Sequence, residues 1–258
     1  MKKNLFTSLI AFIMCLASCS FVSKDFDTSD KDSLVIQLIT YVLDQAHYLD
    51  KEIDDDFSEK VFNTFLENLD PYKRYFYASD IEEFSEYKYS IDDAFKIPNL
   101  DFFDLVYERY KKRMSESEKI FNNILSNPFD FSKDEVCECD FEVLDYVQTN
   151  EELYDRWRKL LKIYVIENYH NEIEDDLRKL EKDSLFQIRN IDLIEKETRE
   201  SLSETMIQNY KFVSEEMQRS DWFSVYINSF VSQYDPNTSY LDPESKDRFD
   251  VDMSGNYA

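Results

Sequence analysis

A chain of 258 residues carries 55 acidic and 30 basic side chains, a net charge of −25. That balance argues against nucleic acid, whose phosphates require a basic face, and against broad electrostatic adhesion to anionic lipid. The lone glycine, Gly255, excludes a phosphate-cradling loop or a dinucleotide fingerprint, which need several, and argues against a tight-turned sheet. Phe (21) and Tyr (18) make up most of a 16% aromatic content, too rich for a disordered chain, so composition points to an all-α fold.

The amino terminus comes first. Lys2 and Lys3 precede an apolar run over residues 5–16, broken only by Thr7 and Ser8, and then Leu16-Ala17-Ser18-Cys19. The run falls short of the roughly 20 residues that cross a bilayer and suits a cleavable signal. The last four residues resemble a bacterial lipobox, which implies cleavage before Cys19 and a diacylglycerol on its thiol. Two acyl chains anchor far better than one. Ser20, standing where an inner-membrane retention signal places Asp, tilts the address to the outer membrane, facing the periplasm. Residues 1–18 are read as the signal, 19–30 as a tether, 31–250 as one helical domain, and 251–258 as the start of a linker.

Apolar residues at helical spacing predict a helix over 31–48, with Leu34, Ile36, Leu38, Ile39, Val42, Leu43 and Ala46 largely on one stripe. A second covers 58–69 and stops at Asp70-Pro71, because a residue before proline avoids the α region. Ser79 with Glu82 has capping-box spacing and opens a short helix to about residue 89. Pro98 precedes a long helix over 101–125, ended by Asn127-Pro128. Residues 128–148 read as irregular. Thr149 with Glu152 opens a helix of some 30 residues, a further one covers 191–219, and a last spans 222–234, capped by Ser220 or Asp221. The segment beyond reads as an irregular exit.

No catalytic constellation emerges, and no cofactor or metal site is expected. His47 and His170 read as helix-face residues. Asp54-Asp55-Asp56 lacks the alternating ligands and glycine of a calcium loop, and Glu174-Asp175-Asp176 reads as a solvated run. Cys137 and Cys139 lack the further ligands zinc needs; they read as loop thiols, with a disulfide as the alternative.

Two segments are left over. One, over 68–84, contains Asp70-Pro71, Arg74-Tyr75-Phe76 and Ser79-Asp80-Ile81. The other is Tyr234-Asp235-Pro236-Asn237-Thr238-Ser239-Tyr240, running on to Asp252-Met253-Ser254. Both resemble the amino-terminal helical domain of the tail-specific (carboxy-terminal processing) proteases, and the segment around Trp157-Arg158 is similar to that family's central one. The resemblance runs over most of residues 35–254. It implies structural roles for Asp70, Pro71, Arg74, Tyr75, Phe76, Asp80, Trp157, Asp235, Pro236, Thr238, Ser239 and Tyr240. Ser239 is read as a turn residue or helix cap rather than a nucleophile.

The resemblance also implies what would follow: a PDZ domain, then a protease core with a serine nucleophile and a lysine base. Both are expected beyond Ala258, as in a gene cut by a frameshift, a premature stop or a split. The expectation is therefore a non-catalytic front of a serine protease. Its partners would be protein substrates or adaptors once joined to those domains, and the membrane through Cys19. The alternative is a free-standing lipoprotein adaptor.

Overall fold

The computed structural model describes residues 28–46 and 51–255. The signal, Cys19, most of the tether and His47 lie outside them. Nine α-helices and no strand are present among the described residues, so the fold is all-α. None of these helices is long and apolar enough to cross a membrane.

Helix α1 (Thr28–Ala46) differs from its predicted stripe. Ile36 and Leu43 are buried and Ile39 partly so, whereas Leu34, Leu38 and Val42 are exposed. The cause is angular. Residues 36, 39 and 43 recur at three and four and share one face, while 34, 38 and 42 follow a separate four-residue row.

Helix α2 (Asp55–Leu69) starts three residues earlier than predicted. Asp54 caps it, accepting from the Phe57 N–H at 3.0 Å, and Asp55 and Asp56 sit in the first turn, where the helix dipole favours negative charge. The aspartate run is thus a helix start. Helix α3 (Ala78–Phe84) also begins early: Tyr77 is its cap residue and the Asp80 carboxylate takes the Tyr77 N–H at 3.0 Å, so the reciprocal contact falls two residues before Ser79. A 3₁₀ turn (Ser85–Tyr87) follows, then α4 (Ile91–Lys96), a helix too short for its periodicity to be read. It is tied to α2 by Ser58, whose hydroxyl donates to Asp92 at 2.7 Å and accepts the Asp92 N–H at 2.8 Å.

Helix α5 (Asp101–Leu125) has the predicted bounds. Helix α6 (Asn150–Lys182) is capped by Thr149, which accepts from the Glu152 N–H at 3.2 Å. Asp176 on α6 is not solvated. It is buried, and Arg189 grips both its oxygens at 2.9 Å, folding the connector back on the helix. That guanidinium holds the Asp176 carboxyl below the usual range. His170 is exposed, 3.2 Å from Glu174 one turn on. Helix α7 (Ile191–Lys211) ends well before residue 219, because a π turn (Phe212–Glu216) breaks the ladder. Helix α8 (Arg219–Tyr234) begins with Asp221 accepting the Gln218 N–H at 2.7 Å. The exit is only partly irregular. Asp242 caps a ninth helix, α9 (Pro243–Ser254), with proline in its first turn and left-handed Gly255 closing it. Residues 251–254, expected in a linker, are therefore helical.

Two apolar cores hold these elements. The larger joins α2, α4, the first half of α5 and α8, with Phe95 stacked on Phe230 at 3.6 Å and Phe65 against Tyr226 at 5.0 Å. The smaller joins the end of α5 with the start of α6 around Trp157. Each fully buried large apolar side chain stabilises the fold by about 1.5–3 kcal/mol, so the aromatic richness is spent on helix packing.

Helices α2 and α8 run antiparallel. Gln233 Nε2 donates to Thr64 Oγ1 at 2.9 Å and Asn68 Nδ2 to Ser229 Oγ at 3.1 Å, a pairing in which one number rises as the other falls. The two segments singled out in the sequence each follow the carboxyl end of one of these helices, so they leave opposite ends of the pair.

Candidate functional site

The first segment is organised by Asp70, the residue that ends α2. Its backbone N–H closes the helix on Leu66 O at 2.9 Å. Its buried carboxylate then accepts three successive backbone N–H groups, from Arg74 (2.8 Å), Tyr75 (2.9 Å) and Phe76 (3.0 Å). Burial pushes this carboxyl up and the three N–H donors pull it down, with burial the larger effect. Pro71, exposed, begins the turn, which Lys73 N–H closes on Asp70 O at 3.0 Å. Lys73 itself sits at φ 45°, a left-handed conformation costing a non-glycine residue roughly 1–2 kcal/mol. Its ammonium reaches the carbonyls of Leu144 and Glu142, and Arg156 on α6 donates to the Lys73 carbonyl and to Asp145 O, so the strained residue is held from three sides.

Arg74 follows. Its guanidinium lies over three rings, 4.8 Å from Trp157, 5.0 Å from Tyr72 and 5.3 Å from Tyr75. Trp157 Nε1 donates to the Arg74 carbonyl at 2.9 Å. Tyr75 packs edge-on against Tyr110 (5.4 Å) and Trp157 (5.8 Å), while Phe76 is fully buried against Phe84. The segment therefore bridges both cores. Beyond it the Ala78 N–H meets Val147 O at 2.8 Å, a single parallel bridge that docks the 128–148 stretch.

Asp80 is the second fixed charge. It is buried, and Arg113 grips it through Nε at 2.8 Å and Nη2 at 2.9 Å while Arg109 donates to it from one turn away on α5. Burial raises the Asp80 carboxyl, but Arg113, the Tyr77 N–H and Arg109 outweigh it and hold the group below the usual range. With the folded pKa depressed, this stabilisation is fully present above the unfolded value near 3.9 and is lost as pH falls through the lower folded value. Asp80→Asn should lower stability near neutrality by about 2–4 kcal/mol. The deficit should shrink in urea titrations run below about pH 4; a pH-independent deficit would show that the ion pairs are not its source.

The second segment is a fold-back. Asp235 Oδ1 accepts from the Asn237 N–H (2.9 Å) and Nδ2 (3.1 Å), and the Thr238 N–H closes on Asp235 O at 3.0 Å. Pro236 and Ser239 are exposed and Thr238 is half-buried. Capping of α9 falls to Asp242, so Ser239 is not its cap. Asn228 on α8 clamps the Tyr240 backbone in both directions, accepting its N–H at 2.7 Å and donating to its carbonyl at 3.0 Å. Asn228→Ala should free this exit, seen as faster limited proteolysis between residues 236 and 242 with a global loss of only about 1–2 kcal/mol.

The structure thus brings Asp70, Arg74, Tyr75, Phe76, Asp80 and Trp157 into one region and leaves Asp235, Pro236, Thr238, Ser239 and Tyr240 at the other end of the α2–α8 pair. Both oxygens of Asp70 and of Asp80 are occupied by N–H donors, which leaves neither placed as a general base. Among the described residues no group of three or more His, Cys, Asp or Glu is arranged to hold a metal ion. Lys73, Arg109, Arg113, Arg156 and Asn228 were not singled out in the sequence. The four-residue spacing of Arg109 and Arg113 marks a common helix face, but not the acid it meets.

Two similarities to known proteins accompany this geometry. Residues 39–244 match the protein family described as the tail specific protease N-terminal domain. The tail-specific protease of Haemophilus influenzae is 25% identical over 230 residues, covering 88% of this chain and 30% of that protein. The chain therefore spans less than a third of that relative's length.

Proposed function

This chain belongs to the family of tail-specific protease N-terminal domains, and from that we propose that it serves as a non-catalytic helical domain in the proteolysis of proteins from their carboxyl-terminal tails. The observation that carries the reading is that the family match spans 39–244 while polar groups in both family-like segments are engaged in hydrogen bonds at helix junctions. A serine peptidase needs a nucleophile beside a base, and the acids of the first segment are already committed to N–H donors. On this reading, catalysis belongs to a protease core of the serine–lysine type, and the helical domain positions protein substrates or adaptors for it. The lipobox-like segment supports an exported chain, anchored through Cys19 to the outer membrane and facing the periplasm.

The purified chain should neither cleave an unfolded protein bearing an apolar carboxyl-terminal tail nor react with a serine-directed fluorophosphonate. Hydrolysis that co-purifies with the chain and survives in a separately prepared batch would overturn the proposal. For the anchor, radiolabelled palmitate should enter the wild type in a bacterial host and not Cys19→Ser, which should leave the membrane fraction.

A second reading, a free-standing adaptor, draws on the exposed Leu34, Leu38 and Tyr41 row of α1. Stable capture of a partner by the chain alone, lost in Leu38→Asp, would favour it.

A further inference from the structure

Where the two cores meet, between the first family-like segment and helices α5 and α7, lies a cavity of about 200 Å³. It holds an unusual coincidence. Among the described residues two buried side-chain polar atoms have no hydrogen-bond partner, Arg74 Nε and Ser117 Oγ, and both residues line this one cavity. Ser117 is only 1% exposed. Buried polar groups are otherwise almost always satisfied, because an unmade hydrogen bond to such a group is costly.

The lining has a definite chemistry. No Asp or Glu contributes to it, in a chain where 55 of 258 residues are acidic. Its charged member is Arg74, which makes no direct ion pair among the described residues, although its charge acts on the buried Asp70 carboxyl nearby. Tyr110 also lines it, and burial pushes its phenol up, so it stays protonated. The Arg74 Nε–H and the Ser117 hydroxyl are donors without a partner, and both suit an acceptor. The same lining includes Met114 and Phe121, which flank Ser117 on one face of α5, and Met206 on α7, so apolar surface lies beside the donors. An occupant that satisfies both halves is negatively charged at one end and hydrocarbon at the other.

We propose that this cavity binds a short aliphatic carboxylate, its oxygens facing Arg74 and Ser117 and its alkyl group against Met114, Phe121 and Met206. A charge-assisted bidentate contact suits a guanidinium. Two sources share this chemistry: a free short-chain acid, and the carboxyl-terminal residue of a polypeptide.

The test uses the 258-residue chain with isobutyrate and its neutral isostere isobutyramide, followed by ligand-observed saturation-transfer NMR. Isobutyrate should bind saturably, and isobutyramide about tenfold or more weaker, as expected when a charged acceptor is lost. Ser117→Ala removes an atom that has no partner in the structure, so it should fold normally and weaken isobutyrate about tenfold. Arg74→Lys keeps the charge but removes Nε and should weaken it similarly. N-acetylvaline against N-acetylvalinamide separates the sources: the acid binding more tightly than isobutyrate assigns the cavity to chain termini, and more weakly to free acids. Equal binding of acid and amide, unchanged affinity in Ser117→Ala, or no saturable binding of any acid, as for a cavity filled by water alone, would overturn the proposal.

Discussion

Asp70→Ala is expected to cost about 3–5 kcal/mol of folding stability, measured by urea denaturation followed by circular dichroism. The carboxylate takes three consecutive backbone N–H groups at 2.8–3.0 Å, and alanine offers none of them an acceptor. Those of Tyr75 and Phe76 lead directly into ring packing, so water cannot enter without moving side chains that the cores need. Hydrogen bonds to a charged group contribute about 1.5–3 kcal/mol each, and they are not fully additive because one loop carries all three. Asp70→Asn keeps one acceptor but turns an amide N–H₂ towards N–H donors, so it should recover only part of the loss. A cost below about 1 kcal/mol for alanine, the level of an ordinary exposed substitution, would mean that the turn is held by Lys73 and Arg156 instead.

Trp157→Ala is the second large effect, about 3–5 kcal/mol. Trp157 is the largest side chain with no exposure in the fold and packs with Tyr75 at 5.8 Å and Phe121 at 6.1 Å. Removing it opens a void in the smaller core, strips Arg74 of one of three rings and orphans the Arg74 carbonyl that Nε1 satisfies. Trp157→Phe, which fills most of the volume but has no N–H, should cost roughly 1–3 kcal/mol. The Arg74 residue is held by Asp70 at its N–H and by Trp157 at its carbonyl. The double variant Asp70→Ala, Trp157→Ala should therefore fall short of the sum of its parts by about 0.5–3 kcal/mol. Strict additivity would show that the two contacts act on separate structures.

How much of this was legible beforehand depended on the range of the interaction. Helix α5 was bounded correctly because Pro98 and Asn127-Pro128 are local stops. The Thr149 cap was read from a three-residue spacing. The grip of Asp70 on residues 74–76 spans only six residues yet was not legible, because Asp70-Pro71 reads as a helix stop alone. Helix α4 escaped because six residues give no periodicity, and the α1 stripe was misassigned because apolar residues occupy two of its faces while only one meets the core. Asp176 was misread for a related reason: an acidic triplet looks solvated until the chain folds Arg189 back upon it.

The sequence by itself determined the all-helical class, the limits of α5, the start of α6 and the ends of α2 and α8, and the two segments by which the family was recognised. These follow from backbone preference, side-chain periodicity and short-range hydrogen bonding, which act within a few residues. Only the tertiary structure decided that the segments lie at opposite ends of an antiparallel helix pair, that Asp80 meets Arg109 and Arg113, and that Arg74 and Ser117 share one cavity. Those pairings join residues 29, 33 and 43 positions apart in the chain. Among 30 basic residues, local spacing cannot say which one a given acid will meet; helix packing makes that choice.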